Sequence, residues 1–173
     1  MSLAALNTGG SHNAFSANVS DGTGFAITVT TSGTPVAIAN ALLTEKKNTT
    51  GGGLVFAVGT GVVTVTTPAG CGRYLAIANA ANTQGQNAVW HSVQFFAKEA
   101  GVAAAAKGVR TRKLEPAAAA QASAGIATAI VDLSAVGDTV ELRVDAQTNG
   151  NAITFRDLSL DRKSTRLNSS HRT

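Results

Sequence analysis

The chain has 173 residues, of which 44% are hydrophobic and 14% charged, and it carries a formal net charge of +4. This length fits one domain with a buried core, and the apolar fraction excludes a disordered chain. No stretch approaches the roughly 20 consecutive apolar residues of a membrane helix. Because Cys71 is the single cysteine, an internal disulfide framework is also excluded.

The positive charge is concentrated in the C-terminal segment DRKSTRLNSSHRT (161–173). This segment holds four of the fourteen cations and one of the ten acids, which leaves ten cations and nine acids in residues 1–160. Since that body is nearly neutral, its electrostatics give no reason to expect nucleic acid as a partner.

The residues from Asp161 to His171 resemble one reading frame of a common sequencing-library adapter, and all eleven positions match its translation. A disordered basic arm would reach the same eleven residues only by coincidence. We therefore interpret residues 161–173 as a non-native, adapter-derived tail. We expect the source to be assembled environmental DNA and the native C-terminus to lie beyond Leu160.

In chain order, the remaining sequence alternates apolar and polar residues with a period of two, which is typical of β-strands. The predicted strands are FAITVT (25–30), VAIAN (36–40), GLVFAV (53–58), VVTVTT (62–67), RYLAIANA (73–80), AVWHSVQFFAKE (88–99), GIATAIVDL (125–133), DTVELRVDA (138–146) and NAITFRDLSL (151–160), the last with a bulge near Arg156. Short strands separated by turn residues predict an all-β fold, either a sandwich or a barrel.

Two alanine-rich segments, VAAAAKG (102–108) and EPAAAAQASAG (115–125), are shorter than the ~12 residues of a stable isolated helix. We predict loops there, with at most one helical turn at Pro116–Ala122. The resulting division is a lead-in segment at 1–24, an all-β domain at 25–160 and the tail at 161–173.

No residue pattern predicts catalysis, a cofactor or a metal site. His12 and His91 are far apart, Cys71 lacks a reactive signature, and the glycine clusters lack the lysine of a phosphate loop. His91 shares strand phase with Val89 and Val93, so we expect a hydrogen-bonded interior or interface residue. We therefore predict no enzyme and no cofactor.

The acidic residues are expected to be solvated or to cap turns rather than to bind calcium. In DTVELRVDA, Glu141 and Asp145 alternate with Arg143 on a face that the pattern predicts to be exposed. The other members of this acidic set are Asp132, Asp138 and Asp157.

The residues with potential for partner contact are Trp90 and the cations of KGVRTRK, namely Lys107, Arg110, Arg112 and Lys113. A solvated loop accounts for the cations most simply, and contact with an anionic polysaccharide or with the acidic edge of another subunit is the alternative. Trp90 could stack on a sugar or fill an interface, and the sequence leaves both open.

Three segments together resemble the jelly rolls of the tumour-necrosis-factor and complement globular-head family. GRYLAIANA (72–80) is similar to the strand that carries the family's Gly-x-Tyr signature, and AIVDLSAVGDTVELRV (129–144) is similar to its Leu-x-x-Gly-Asp-x-Val-x-Leu hairpin. FAVGTGVVTVTTPAG (56–70) resembles the segment that leads into the signature. The resemblance spans Phe25 to Leu160 and implies that residues 25–160 form a jelly-roll domain, an antiparallel jelly-roll sandwich of about 8–10 strands. The family's closing strand would lie at or beyond residue 160.

The resemblance implies a homotrimer in which apolar sheet faces pack together, with Tyr74 in a core or interface and Gly137–Asp138 in a turn. The composition, rich in Ala, Thr and Gly and poor in aromatic residues, is similar to that of phage virion proteins with this fold. The leading hypothesis is a structural or adhesive virion component, such as a tail fibre, baseplate or head appendage, that binds virion proteins or a host-surface glycan. The alternative is a secreted, extracellular bacterial module that binds carbohydrate or protein.

Overall fold

The computed structural model describes residues 14–39, 44–48, 52–57, 60–84, 89–114 and 123–164. These residues form a 3-10 turn at Pro68–Gly70 and eleven strands: β1 (Ala14–Val29), β2 (Val36–Ala37), β3 (Thr44–Asn48), β4 (Leu54–Ala57), β5 (Val62–Val65), β6 (Gly72–Gln84), β7 (Trp90–Lys98), β8 (Ala105–Leu114), β9 (Ser123–Leu133), β10 (Thr139–Ala146) and β11 (Asn151–Ser164). Within these ranges no helix is long and apolar enough to cross a membrane. His12 and most of the alanine-rich segment at 115–125 lie outside the described residues.

The strands form two antiparallel sheets. Sheet A has the order β3-β1-β11-β6-β9, and sheet B has the order β8-β7-β10-β5-β4, with the two-residue β2 also paired to β10. A single residue pair, Val109 with Thr128, joins β8 to β9 and closes one side of the sandwich. The prediction of an all-β jelly-roll sandwich is confirmed.

The core lies between the two sheets and follows the period-two pattern of the sequence. In β10 the inward residues Val140, Leu142 and Val144 are at most 1% exposed. From sheet A, Phe155 is fully buried, and its ring centroid lies 5.7 Å from that of Phe25. Full burial of each such side chain contributes about 1.5–3 kcal/mol, which makes this apolar layer the main source of stability.

Tyr74 of the Gly-x-Tyr signature is a core residue, as the resemblance implied. It has no exposed surface, and its hydroxyl donates a 2.7 Å hydrogen bond to the carbonyl of Gly70. A buried hydroxyl needs such a partner because desolvation without a hydrogen bond is unfavourable. The bond ties the start of β6 to the 3-10 turn that precedes it.

The loop prediction for the cationic segment is wrong. β8 runs from Ala105 to Leu114 and pairs with β7, from Trp90 opposite Leu114 to Ala97 opposite Ala105. Strand formation here depends on this neighbouring strand, and alanine-rich local sequence gives no sign of such pairing.

Gly108 allows β8 to approach β9 closely. Its φ of +65° is in the left-handed region, and a Cβ at this position would lie 2.7 Å from the Cα of Ala129. The register of β8 against β7 shifts nearby, between Val93 and Phe95. A side chain at residue 108 would therefore separate the two strands that close the sandwich.

β1 and β11 lie side by side in sheet A and are longer than the sequence pattern predicts. β1 begins at Ala14 rather than at Phe25. β11 lies between β1 and β6, and its register against β6 shifts between Phe155 and Asp157, which confirms the bulge predicted near Arg156.

The expectation of a closing strand at or beyond residue 160 stays a prediction. β11, an interior strand of sheet A, itself continues beyond residue 160. The strand runs past Leu160 to Ser164, and Lys163 lies opposite Ala14 on one side and Leu75 on the other. Backbone pairing accepts almost any side chain except proline, so this extension leaves the adapter origin of the tail as a prediction.

The segment after β9 is not a hairpin, and that expectation is also wrong. β9 belongs to sheet A and β10 to sheet B, so the turn at 134–138 carries the chain from one sheet to the other. Two hydrogen bonds tie this turn to the end of β5: Gly137 donates to the carbonyl of Val65 at 2.8 Å, and Val65 donates to that of Asp138 at 2.9 Å.

The side chain of Asp138, 1% exposed, holds two turns at the same end of the sandwich. Its carboxylate accepts backbone hydrogen bonds from Ala135 at 2.9 Å, Ala100 at 3.0 Å and Gly101 at 3.2 Å. Burial alone would raise the pKa of Asp138. The bonds from these amides and from Ser134 outweigh burial and hold that pKa below its ordinary value.

Candidate functional site

The outer face of sheet B carries a polar and aromatic layer instead of a fully solvated surface. Its residues alternate with the core residues of the same strands: Trp90, Ser92, Gln94 and Phe96 from β7, Glu141, Arg143 and Asp145 from β10, and Arg110 from β8. The register places Glu141 opposite Phe96, Arg143 opposite Gln94 and Asp145 opposite Ser92.

The prediction that Glu141 and Asp145 are exposed is wrong. Glu141 is 8% exposed and Asp145 only 2%. Each carboxylate is covered by the arginine that neutralises it, Arg143 over Glu141 and Arg110 over Asp145. The arginine side chains keep 28% and 33% of their surface, so the outer face presents guanidinium groups with carboxylates beneath them.

Arg110 is the centre of one group on this face. Its guanidinium pairs with Asp145, its Nε donates a 2.9 Å hydrogen bond to the hydroxyl of Ser92, and its Cζ lies 5.3 Å from the centroid of the Trp90 ring. A guanidinium over an indole is an attractive cation–π arrangement. The structure therefore brings together two of the residues that the sequence selected, Trp90 and Arg110.

Asp145 extends this group into the neighbouring loops. Its Oδ1 accepts backbone hydrogen bonds from Gly33 at 3.0 Å and from Ala146 at 2.8 Å, while Oδ2 pairs with Arg110. Removal of either charge would leave the other poorly compensated in a partly desolvated place. Asp145 thus fixes Arg110 against the loop between β1 and β2.

The turn after β10 completes the same end of the sandwich. The side-chain oxygen of Gln147 accepts a hydrogen bond from the backbone amide of Trp90 at 3.1 Å, and the backbone amide of Gln147 donates to the Trp90 carbonyl at 2.9 Å. Two residues on, Asn149 accepts the amide of Ser32 at 2.8 Å. We name the set Trp90, Arg110, Asp145, Gln147 and Asn149 the Trp90 corner.

Arg143 forms a second, smaller group on the same face. Its Cζ lies 4.5 Å from the centroid of the Phe96 ring, and its Nε donates to Glu141 at 2.9 Å. Sequence reasoning missed this group. The available signal was the shared register of β7 and β10, which needs the sheet order to be read.

The other cations of KGVRTRK have separate positions. Lys107 pairs with Glu99, which also accepts the backbone amide of Asp132 at 2.8 Å. Arg112 lies opposite Ser92 in the register, and Lys113 lies opposite His91. His91 itself is 3% exposed, which confirms the expected interior position.

Part of the outer face of sheet A is apolar, although exposed polar residues such as Thr128 and Asp132 lie on the same strands. Ile126 is 58% exposed, Ile130 57% and Val109 70%, and the half-buried Leu75 and Ile77 lie on the adjoining strand. The register makes this surface continuous, since Leu75 lies opposite Ile130, and Thr128 lies between Ile77 and Val109. We name these five hydrophobic residues the apolar stripe.

Among the described residues, no group of three or more histidine, cysteine, aspartate or glutamate side chains is arranged to hold a metal ion. The site consists of two surfaces on opposite sides of the sandwich. One carries exposed apolar residues, and the other is aromatic with partly exposed guanidinium groups.

No protein-family model matches the sequence, and the comparison with curated proteins found no match. Solved structures do match. The fold is that of tumour-necrosis-factor and complement globular-domain jelly rolls. The chain is similar to the Eiger tumour necrosis factor of S. frugiperda, with a TM-score of 0.58, 12% identity, and coverage of 94% of this chain and 97% of that one.

Two further structures agree with this assignment. Murine APRIL at pH 5.0 gives a TM-score of 0.55 with 13% identity, covering 89% of this chain and 99% of that chain. The globular domain of the zebrafish complement 1qA protein gives 0.51 with 14% identity, covering 86% and 94%. At these identities the likeness establishes the fold alone, and function has to be argued from the chain's own surfaces.

Proposed function

We propose that this chain is a structural and adhesive component of a virion, a tail fibre, baseplate or head appendage. It acts by homotrimeric assembly and by surface binding rather than by catalysis. The observation that carries the proposal is the apolar stripe on the outer face of sheet A. A soluble sandwich already has a complete core between its sheets, so a second apolar surface on one outer face needs a partner.

The partner proposed for the apolar stripe is another copy of the chain. The stripe lies on β6 and β9, the two strands of sheet A nearest β8, and extends to Val109 on β8, at the side where the two sheets meet. In the proposed interface, the β8 side of one copy packs against the outer face of sheet A of the next copy. Such a heterologous interface forms a closed ring when the rotation between copies permits it. The resemblance in fold supports three copies, and an assembly of this kind suits an extracellular or particle-bound protein.

The binding role is proposed for the opposite side of the molecule. If the apolar stripe is buried in a trimer, the outer face of sheet B faces outward, and its guanidinium groups and Trp90 remain accessible. The partners we propose are neighbouring virion proteins or a host-surface glycan. In this proposal the outer face of sheet A serves assembly and the outer face of sheet B serves binding.

A secreted bacterial module that binds carbohydrate or protein is the second candidate, and the Trp90 corner is the observation that favours it. An aromatic ring offers an apolar face to a sugar ring, and the guanidinium beside it can donate hydrogen bonds to sugar oxygens, so binding would require no assembly. The two candidates differ in the oligomeric state that they predict and in the genes expected to neighbour the coding sequence.

The experiment that tests the virion role is a long sequencing read of the source DNA, through the codon for Leu160 and into the neighbouring genes. Neighbouring portal, tail or capsid genes would support the virion component. Neighbouring secretion and polysaccharide genes would contradict it and favour the secreted module.

A further inference from the structure

The Trp90 corner has an unusual distribution of hydrogen-bonding groups. Arg110 has five N–H donors, and its contacts with Ser92 and Asp145 engage two of them. The other three have no hydrogen-bond partner among the described residues. The acid that neutralises Arg110 is only 3% exposed at its side chain, so an approaching ligand meets the guanidinium and not the carboxylate.

The two amide side chains of the Trp90 corner both turn their oxygen towards the protein backbone. Gln147 and Asn149 each use the side-chain oxygen to accept a backbone amide, from Trp90 and Ser32. Because the oxygen of each amide is engaged by the protein, the NH₂ group is the end left for other contacts. Both residues are exposed. The corner therefore offers donors from three side chains and few acceptors.

Of these donors, the guanidinium of Arg110 lies against the partly exposed indole ring, and Gln147 is bonded to the backbone of Trp90. A ligand that fits must supply acceptor oxygens, one negative charge for the guanidinium fork, and a flat apolar patch for the ring. A sugar ring has such a patch on one face, and a carboxylate on the sugar matches the fork in two parallel hydrogen bonds. A neutral sugar would offer the three remaining N–H donors of Arg110 only uncharged acceptors, which form weaker hydrogen bonds.

We propose that the Trp90 corner binds a carboxylated glycan, with the acid of one sugar residue on Arg110, the ring of that sugar against Trp90, and neighbouring oxygens on Gln147 and Asn149. This inference rests on the surface-binding role proposed above and names its ligand class. An acidic peptide could satisfy Arg110, but it has no ring to match the indole and fewer acceptors for the amides.

The test is a calorimetric titration of the full chain with tetramers of galacturonic, glucuronic and sialic acid, and with a galactose tetramer as the neutral match. At least one acidic tetramer is expected to bind about tenfold more tightly than the neutral one, because the guanidinium discriminates for charge. Absence of binding by all three acidic tetramers, or equal binding of the neutral one, would overturn the proposal.

Matched variants locate the site. Asn149→Asp keeps the oxygen that accepts the Ser32 amide and replaces the donor with a negative charge, so it should weaken binding at least about tenfold without unfolding the chain. Arg110→Lys removes the planar fork, while Arg143→Lys makes the same change on the same face outside the corner. We expect about tenfold weaker binding for Arg110→Lys and less than about twofold change for Arg143→Lys. Equal losses in the two arginine variants would contradict the assignment.

Two controls separate this inference from the proposed function. A tetraglutamate peptide that binds as tightly as the best acidic sugar, with the same dependence on Arg110, would overturn the glycan assignment in favour of an acidic protein partner. Sedimentation of the same samples reports assembly independently. A trimer that binds none of the acidic tetramers would overturn only the ligand, and a monomer that binds one would overturn only the assembly.

Discussion

The carboxylate of Asp138 accepts a hydrogen bond from the backbone amide of Ala100 at 3.0 Å, and Ala100 has a φ of 50°. An alanine in the left-handed region is strained by about 1 kcal/mol or more, so a strong acceptor is needed to hold it there. Asp138 provides that acceptor and belongs to the Gly-Asp pair from which the fold resemblance was recognised. Asp138 therefore has a structural role, because its carboxylate joins two turns.

Substitution Asp138→Asn should lower the free energy of unfolding by about 1–3 kcal/mol at neutral pH, because the hydrogen bonds to a charged acceptor are lost or weakened. Urea denaturation followed by circular dichroism measures the change. Asp132→Asn is the matched control, since that side chain is exposed, and it should change stability by less than about 0.5 kcal/mol. Equal effects of the two substitutions would contradict this structural role of Asp138.

The effect of Asp138 should also depend on pH. Its pKa in the folded chain lies below its ordinary value of 3.8. The stabilisation is therefore fully present above the unfolded pKa and is lost as the pH falls through the folded pKa. The stability difference between the wild type and Asp138→Asn should shrink progressively below about pH 4. A difference that stays constant down to pH 2 would show that the charge of Asp138 is unimportant.

Ala100→Gly should stabilise the chain or leave it unchanged. Glycine adopts a φ near 50° without a steric penalty, which offsets the entropy that it adds to the unfolded chain. The expected change in unfolding free energy lies between zero and about 1 kcal/mol in favour of the folded state. A loss above 1 kcal/mol in the same urea experiment would mean that the methyl group of Ala100 makes a contact that outweighs its strain.

Much of this fold follows from the sequence, because period-two alternation is a direct record of which residues face the core. In DTVELRVDA, the alternation that puts Arg143 on the outer face predicts Val140, Leu142 and Val144 to face the core, and all three are buried. β8 could not be predicted, since its alanine-rich sequence becomes a strand only against β7. The sheet order likewise depends on contacts between distant segments, so the passage from β9 to β10 was mistaken for a hairpin.

The candidate site was only partly predictable for the same reason. Trp90 and Arg110 were selected from residue type, and their contact is a consequence of the pairing between β7 and β8. The burial of Glu141 and Asp145 was missed because alternation shows only which face of the sheet a residue occupies and not whether that face is covered. Whether a long arginine side chain covers that face depends on neighbouring strands.

The β11 extension permits a test of the tail that does not rely on its DNA. Deletion of 165–173 should leave stability unchanged, and deletion of 161–173 should leave the chain folded with a lower unfolding midpoint, since strand pairing with β1 and β6 is lost. Replacement of residues 161–164 by Thr-Val-Thr-Val should restore the midpoint, because the contribution expected is one of backbone pairing. Failure of the replacement would show that the native side chains matter and would contradict the adapter origin.

The apolar stripe should tolerate no charge if it lies in an interface. Ile130→Asp is expected to dissociate the assembly while the monomer keeps its β-sheet spectrum, because Ile130 is 57% exposed within a single chain. Val55→Asp is the matched control, since Val55 is 46% exposed on β4 of sheet B, away from the stripe. Size-exclusion chromatography of both variants measures the outcome, and dissociation by both or by neither would contradict the assigned interface.

The measurement that tests the central claim most directly is sedimentation equilibrium of residues 1–164 at micromolar concentration. We expect a single species with three times the mass of the chain, because assembly removes the exposed isoleucine and valine side chains of each copy from water. A species with the mass of one chain, still folded and soluble at high micromolar concentration, would contradict the homotrimer and leave the apolar stripe without its proposed partner.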